Sequence, residues 1–211
     1  MNASELADIY PTVFHVTRPE AWPSIQRHGL LSTTALSDLF EIDGSRRHSL
    51  ERSRRPTGVV IEHPEHGQAW LRDNAPIIES RLPDVLEDIT PEEYFALLNR
   101  NVFFWPTRRR LRRLLAAGRY VSQPQLVLEV RTADLVERHS ERVALSPYNT
   151  GATLFDAPTR GSQTLKPIDA YPFDAWAAKR SRRNAVTEIA VEYAIPDITE
   201  FIVSVDIHEP G

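Results

Sequence analysis

No cysteine occurs among the 211 residues, and lysine appears only twice, at Lys166 and Lys179. The first absence excludes a disulfide framework, thiolate metal sites and cysteine nucleophiles, so any zinc would rest on His and carboxylates alone. Glycine is also scarce, at 8 residues. No G-x-S-x-G elbow, G-x-x-x-x-G-K-[ST] loop or G-x-G-x-x-G turn occurs, which argues against a hydrolase triad, P-loop nucleotide use and a Rossmann domain. No apolar run approaches the ~20 residues of a membrane span, and MNASELADIYPTVF lacks a basic stretch followed by an apolar one. The expected location is cytoplasmic, with no membrane partner. No internal repeat is present, which argues against solenoids and propellers.

Hydrophobic residues make up 41% and charged residues 26% of the chain, enough apolar surface for one self-folding domain over residues 1–211. A net charge of −4 supplies no global attraction for nucleic acid. The positive charge is nearly all arginine, and three clusters of it stand out: Arg46, Arg47, Arg52, Arg54 and Arg55; Arg108 to Arg113; and Arg180, Arg182 and Arg183. The planar guanidinium matches phosphate oxygens two at a time, so each group is a candidate anion-binding surface, set against the plainer reading of a solvated helix face.

VFHVT reads as a strand, and Pro19 opens a helix through EAWPSIQRH that Gly29 ends as a C-cap with positive φ. Ser32 caps a second helix with Leu36, Leu39 and Phe40 on one face. The polar Asp43–Arg55 segment reads as a surface helix or mobile loop, followed by strands GVVIEH and QAWLRD. Between these, EHPEHG reads as a hairpin turn in preference to a metal site at His63 and His66. Thr90-Pro91-Glu92-Glu93 starts a helix, NVFFW is a buried strand, and Thr107 caps RRRLRRLLAAG with Leu111, Leu114 and Leu115 inward. QLVLEV is a strand, TADLVERH a helix and RVALS a strand entering the irregular loop SPYNTGATLFDAPTRG, followed by the helix FDAWAAKR. The closing TEIAVEYAIPDITEFIVSVDI reads as two strands joined by a Pro196–Asp197 turn. Six to eight strands, with helices mainly in the N-terminal half, predict an α+β fold.

Late carboxylates are the candidates for chemistry, and Glu188, Glu192 and Glu200 compete. Strand alternation from 188 to 194 puts Glu188, Ala190 and Glu192 on one face and Ile189, Val191 and Tyr193 on the other. Glu188 then faces a cleft or solvent. In VFFW, alternation likewise separates Phe103 and Trp105 from Val102 and Phe104, so one pair is core.

FHVTRPEAWPSIQRHGLLS resembles the opening of DarT-type DNA ADP-ribosyltransferases and of RNA 2′-phosphotransferases, which carry H-x-T or a close variant followed by I-x-x-x-G-L. NVFFWPTRRRLRRLL resembles the aromatic second strand of that fold, and TEIAVEYAIPDITEFIVSVDI resembles the DarT-type closing segment. These stretches cover both ends and the middle, about half of the chain. The whole sequence also resembles a family of bacterial proteins of unassigned activity sharing V-F-F-W and S-P-x-N-x-G-A-T.

The resemblance implies an ADP-ribosyltransferase-like split antiparallel sheet with NAD as co-substrate and no metal. It implies that His15 donates to a ribose hydroxyl while main-chain groups near Thr17 pair with the nicotinamide amide, in the context of Gly29 and Leu30. Phe103 or Trp105 would stack on the nicotinamide ring, with Tyr148 a further aromatic candidate, and Asn149 would hold the adenosine half or the acceptor. Glu188 would act on the ribose. The cations Lys179, Arg180, Arg182 and Arg183, with Arg108, then point to a nucleic-acid acceptor. Such transferases are often toxins with an antitoxin or immunity partner. The alternatives are transfer to protein, RNA 2′-phosphate transfer, and a non-catalytic NAD- or ADP-ribose-binding module.

Overall fold

The computed structural model describes residues 1–154 and 156–210; Phe155, within the loop read from Ser146 to Gly161, and Gly211 lie outside the described residues. The first half runs α1 (Ala3–Ile9), β1 (Thr12–Thr17), α2 (Trp22–His28), β2 (Leu30–Leu31), α3 (Thr33–Leu39), α4 (Gly44–Arg52), β3 (Val59–His63), β4 (Gly67–Leu71), α5 (Leu82–Val85), α6 (Pro91–Asn99), β5 (Asn101–Phe104) and α7 (Arg108–Leu115). Then follow β6 (Gln125–Arg131), α8 (Thr132–His139), β7 (Val143–Ser146), β8 (Lys166–Pro167), α9 (Phe173–Arg180), β9 (Glu188–Glu192), β10 (Ala194–Ile195), α10 (Ile198–Phe201) and β11 (Ile202–His208). The fold is α+β, with seven of these helices before residue 116.

Local chemistry sets most element ends. Ser32 accepts from Ala35 N–H at 3.1 Å, and Thr107 accepts from Arg110 N–H at 3.4 Å, each meeting a donor that a helix start leaves unpaired. Thr90 and Glu93 form a reciprocal capping box with Pro91 in the first turn. The same device, Asn2 with Glu5, starts α1; the sequence reading assigns no helix there.

Two antiparallel sheets form the frame, one ordered β1-β6-β11 and the other β5-β9-β7-β8. They meet where Phe14 and Trp105 exchange main-chain hydrogen bonds of 2.9 and 2.8 Å. Past this pair the strands diverge, so the frame is a split antiparallel sheet. The main core fills between it and the helices, with Leu6, Phe104, Leu128, Ile189 and Phe201 almost wholly buried. Each such side chain contributes roughly 1.5–3 kcal/mol relative to exposure. A second core joins Leu36, Phe40 and Leu50 to the hairpin β3–β4, whose register pairs His63 with Gly67.

Two expectations need correction. The closing segment is not a simple hairpin: β9 lies in the four-stranded sheet and β11 pairs with β6 in the other, while β10 pairs with β2. Tyr193 takes a φ of +67° between β9 and β10, so the chain bends there and the Pro196–Asp197 turn leads into α10. The Arg46–Arg55 group is not a uniform solvated or anion-binding face either. Arg55 is buried, donating to the carbonyls of Leu50 and Arg72 and to Asn99 Oδ1, and Arg54 donates to the carbonyls of Ile77 and Ala75. The last turn of α4 at Leu50 and irregular backbone at the other positions leave these carbonyls without ladder partners, and guanidinium donors satisfy them.

Gly29 ends α2 at φ +81°, where an added Cβ would lie 2.4 Å from Pro196 Cα and 2.6 Å from the Ile195 carbonyl oxygen. Both the backbone conformation and the crossing of β10 therefore demand glycine. Gly29→Ala is expected to cost about 3 kcal/mol or more, read from the shift of a denaturant midpoint; a loss below about 1 kcal/mol would contradict the tight crossing.

Candidate functional site

The split between the sheets opens into a cavity of about 270 Å³ lined by His15, Thr17, Gly29, Leu30, Phe103, Trp105, Asn149 and Glu188. It therefore gathers eight positions singled out from widely separated stretches of sequence. Trp105 is the pivot: it closes against Phe14 of β1, and it directly follows Phe104, whose partner Ile189 directly follows Glu188. His15 follows Phe14 directly. The pairing that joins the two sheets thus also brings the histidine and the carboxylate to one cavity.

His15 Nδ1 donates to the Phe103 carbonyl at 2.9 Å, and its ring meets Phe104 edge-on at 5.7 Å. Burial, partly offset by that hydrogen bond and reinforced by the Arg72 charge, lowers its pKa to about 4. The ring is neutral at pH 7, and with Nδ1 as donor, Nε2 carries a bare lone pair. This corrects the expected polarity: His15 offers the cavity an acceptor instead of a donor. The main-chain acceptor beside it, the Val16 carbonyl, takes a 2.7 Å hydrogen bond from Arg72 Nη1.

Glu188 is buried at the N-terminal end of β9, opposite Ser146 of β7. Strand parity expects a cleft or solvent, and the structure gives the cleft. Thr150 N–H and Oγ1 both donate to Glu188 Oε2, at 2.9 and 2.7 Å, which leaves Oε1 as the oxygen to serve the cavity. Burial pushes the carboxyl up to about 7, opposed by the two Thr150 hydrogen bonds and by the charges of Arg160 and Arg110. A carboxylate poised near neutrality is suited to general-base and electrostatic work.

The aromatic alternation sorts as strand geometry requires: Val102 and Phe104 are core, while Phe103 and Trp105 keep part of their surface at the cavity. Tyr148 lies apart from this lining, its ring edge-on to Trp176 at 5.6 Å. Its backbone direction follows from its N–H donating to Ser146 Oγ at 3.1 Å.

The cations 179–183 also lie outside the cavity, on an exposed surface. Arg180 and Lys179 sit over the Trp176 ring at 4.4 and 5.1 Å, Arg182 covers Phe173 at 5.1 Å, and Arg183 is exposed. Arg109 reaches Asn184 Oδ1 from α7, so the arginine face of that helix and the segment before β9 form one basic surface. Burial, and after it charge repulsion from Arg109, Arg180 and Arg113, lowers the Arg110 pKa. Arg108 is turned elsewhere, over the Phe14 ring and paired with Glu129.

Sequence reasoning missed Thr150, Arg160 and Arg72. Thr150 falls at an unspecified position of the S-P-x-N-x-G-A-T run, so the motif located the loop but gave no signal for the residue that reaches Glu188. Arg72 belonged to a strand read only by its hydrophobic alternation.

Residues 11–202 match a family described as "Family of unknown function (DUF7002)". The chain belongs to that family. No curated protein matches this DUF7002 chain. Among solved structures it is similar to Thermosipho africanus DarTG in complex with ADP-ribose, at 13% identity and a TM-score of 0.42, over 93% of this chain and 43% of that one. The DUF7002 chain thus spans less than half the length of that structure's chain. Among the described residues no helix is long and apolar enough to cross a membrane.

Proposed function

We propose that this protein cleaves NAD and transfers ADP-ribose to nucleic acid. The observation that carries the reading is the meeting of a neutral His15 and the carboxylate of Glu188 in one cavity beside Phe103 and Trp105. Resemblance of the sequence segments around His15, Val102–Trp105 and Glu188 to DarT-type transferases supports it, and is also what supports a toxin role.

The chemistry fits these groups. In NAD the nicotinamide is a cationic leaving group: the C1′–N bond breaks, its electron pair neutralises the ring, and the ribose passes through an oxocarbenium-like state. No general acid is needed. The negative charge at Glu188 stabilises that cation, and Nε2 of His15 accepts from a ribose hydroxyl. The acceptor's lone pair then forms the new bond to C1′, and its proton passes to the Glu188 carboxylate. Phe103 and Trp105 offer flat surface for the nicotinamide ring.

The cavity of about 270 Å³ suits a nicotinamide riboside half better than a whole dinucleotide. A second cavity of about 460 Å³ shares Trp70, Arg72, Asp73 and Tyr120 with it and adds Arg18 and Arg119. Buried Arg72 Nη2 has no hydrogen-bond partner among the described residues. An anionic portion of the same ligand would satisfy it.

The acceptor reading rests on the basic surface that precedes Glu188, where exposed Lys179, Arg180, Arg182 and Arg183 continue into the arginines of α7. Clustered cations of this kind recognise phosphate backbones. Incubation with labelled NAD plus oligonucleotides or a protein extract is expected to label the nucleic acid. Reversing Arg180, Arg182 and Arg183 to glutamate is expected to lower that labelling at least tenfold, with a weaker salt dependence. Label on protein alone would overturn the acceptor assignment.

A further inference from the structure

The S-P-x-N-x-G-A-T run, Ser146–Thr153, is the one sequence motif to which the proposed reaction gives no task. Its backbone is gripped from several sides. The Pro147 carbonyl accepts from Arg180 Nη1 at 2.6 Å and from Thr187 Oγ1 at 2.7 Å. Arg160 Nη2 donates to the Asn149 carbonyl at 3.0 Å, and the Tyr94 hydroxyl donates to the Thr150 carbonyl at 2.8 Å. Thr153 Oγ1 accepts from Ile78 N–H at 2.7 Å. Thr150, so held, spends both of its own donors on Glu188 Oε2.

The two grips at the centre are unusual in what they bury. Tyr94, from α6, has 0% of its surface exposed and Arg160 only 4%. Arg160 Nε and Nη1 meet no acceptor in good hydrogen-bond geometry among the described residues, although the guanidinium lies beside the Tyr94 hydroxyl. Burying donors in this way carries a desolvation cost, so loop tethering alone is a poor account of an arginine here. A buried cation near a buried carboxylate has an electrostatic use as well: it offsets the cost of ionising that carboxylate.

We infer that Thr150, Arg160 and Tyr94 form a bracket that positions Glu188, saturating Oε2 and leaving Oε1 toward the cavity, with Arg160 also stabilising the ionised carboxylate. These are positioning residues, since none is argued to touch the ribose. The inference rests on the reading of Glu188 as the group that acts there. The charged and titratable groups around Glu188 are Arg160 from the loop, Arg110 from α7 and Tyr94 from α6. Arg110 is shared with the basic surface, which makes Arg160 the cation dedicated to this site.

The test is to titrate the Glu188 carboxyl by carbon NMR in glutamate-labelled full-length protein, its signal assigned by its loss in Glu188→Gln. Thr150→Val removes the hydroxyl donor and is expected to raise the Glu188 pKa by about one unit, with Thr150→Ser restoring it. Arg160→Met is expected to raise it by a similar amount and Arg160→Lys by less. In nicotinamide-release assays the acidic limb of the pH profile should move by the same amounts. Should Arg160→Met fail to fold, the Thr150 pair carries the test. An unchanged Glu188 titration in Thr150→Val would overturn the bracket even if the protein is an active transferase. A shifted titration in a protein that releases no nicotinamide would uphold the bracket and remove the reaction reading instead.

Discussion

Glu188→Ala is expected to lower nicotinamide release from NAD by about 10³-fold, the scale on which a single group that stabilises developing charge or moves a proton contributes. The fold should survive. Glu188 heads β9 and, among the described residues, its side chain takes hydrogen bonds from Thr150 alone, whereas the core packing of the strand comes from Ile189 and Val191. Two measurements check this: release by chromatography at saturating NAD, and circular dichroism of the variant. A variant that keeps within about tenfold of the parent rate while folded would remove Glu188 from the reaction. Glu192, the runner-up on the same strand face, is paired with Arg100 at the surface, and its replacement should leave the rate nearly unchanged.

The second large effect concerns pH and follows from the same burial. Glu188 holds a proton in the folded chain up to about pH 7, whereas its ordinary value is 4.5. The stability linked to that proton is complete below about 4.5 and is lost as pH rises through 7. Glu188→Gln cannot ionise and escapes the loss. At pH 8.5 it is expected to be more stable than the parent by about 3 kcal/mol, from the gap of 4.5 to about 7 at roughly 1.36 kcal/mol per unit. At pH 4.5 the two should coincide. Parallel denaturant titrations at the two pH values check this, and equal stability at both would contradict a buried, proton-retaining Glu188. Under the proposed reaction activity runs in the opposite sense, because that reaction uses the ionised form: release should climb with pH through about 7. His15 adds a separate limb, since its lowered pKa of about 4 removes stability as pH falls from its ordinary 6.5 toward 4.

Much of the fold could be read from the chain because the deciding signals are local. Gly29, Ser32, Thr90 and Thr107 mark helix ends through chemistry within three or four residues, and FDAWAAKR coincides with α9. Alternation sorted the VFFW pair correctly because a strand imposes period two on any sequence. What could not be read depends on partners far along the chain. The division of β9 and β11 between two sheets is set by which strand each pairs with, and the segment itself carries no mark of that choice. Arg55 belonged to a visibly polar run, yet its donors are spent on carbonyls and an amide brought to it by folding.

The site divides in the same way. His15, Gly29, Phe103, Trp105 and Glu188 stood out because each lies in a recognisable strand or cap, and the structure gathers all five around one cavity. Thr150 and Arg160 sit in irregular chain, where function depends on tertiary placement alone. Tyr148 illustrates the reverse case: an aromatic in the right loop, spent on Trp176.

The central claim is that this cavity breaks the bond between nicotinamide and ribose. The most direct measurement is free nicotinamide produced by the full chain from NAD, with and without single-stranded oligonucleotide, alongside Glu188→Ala. Time-dependent release by the parent, stimulated by the oligonucleotide and absent in the variant, is the predicted result; NAD bound and recovered intact under every condition would contradict it.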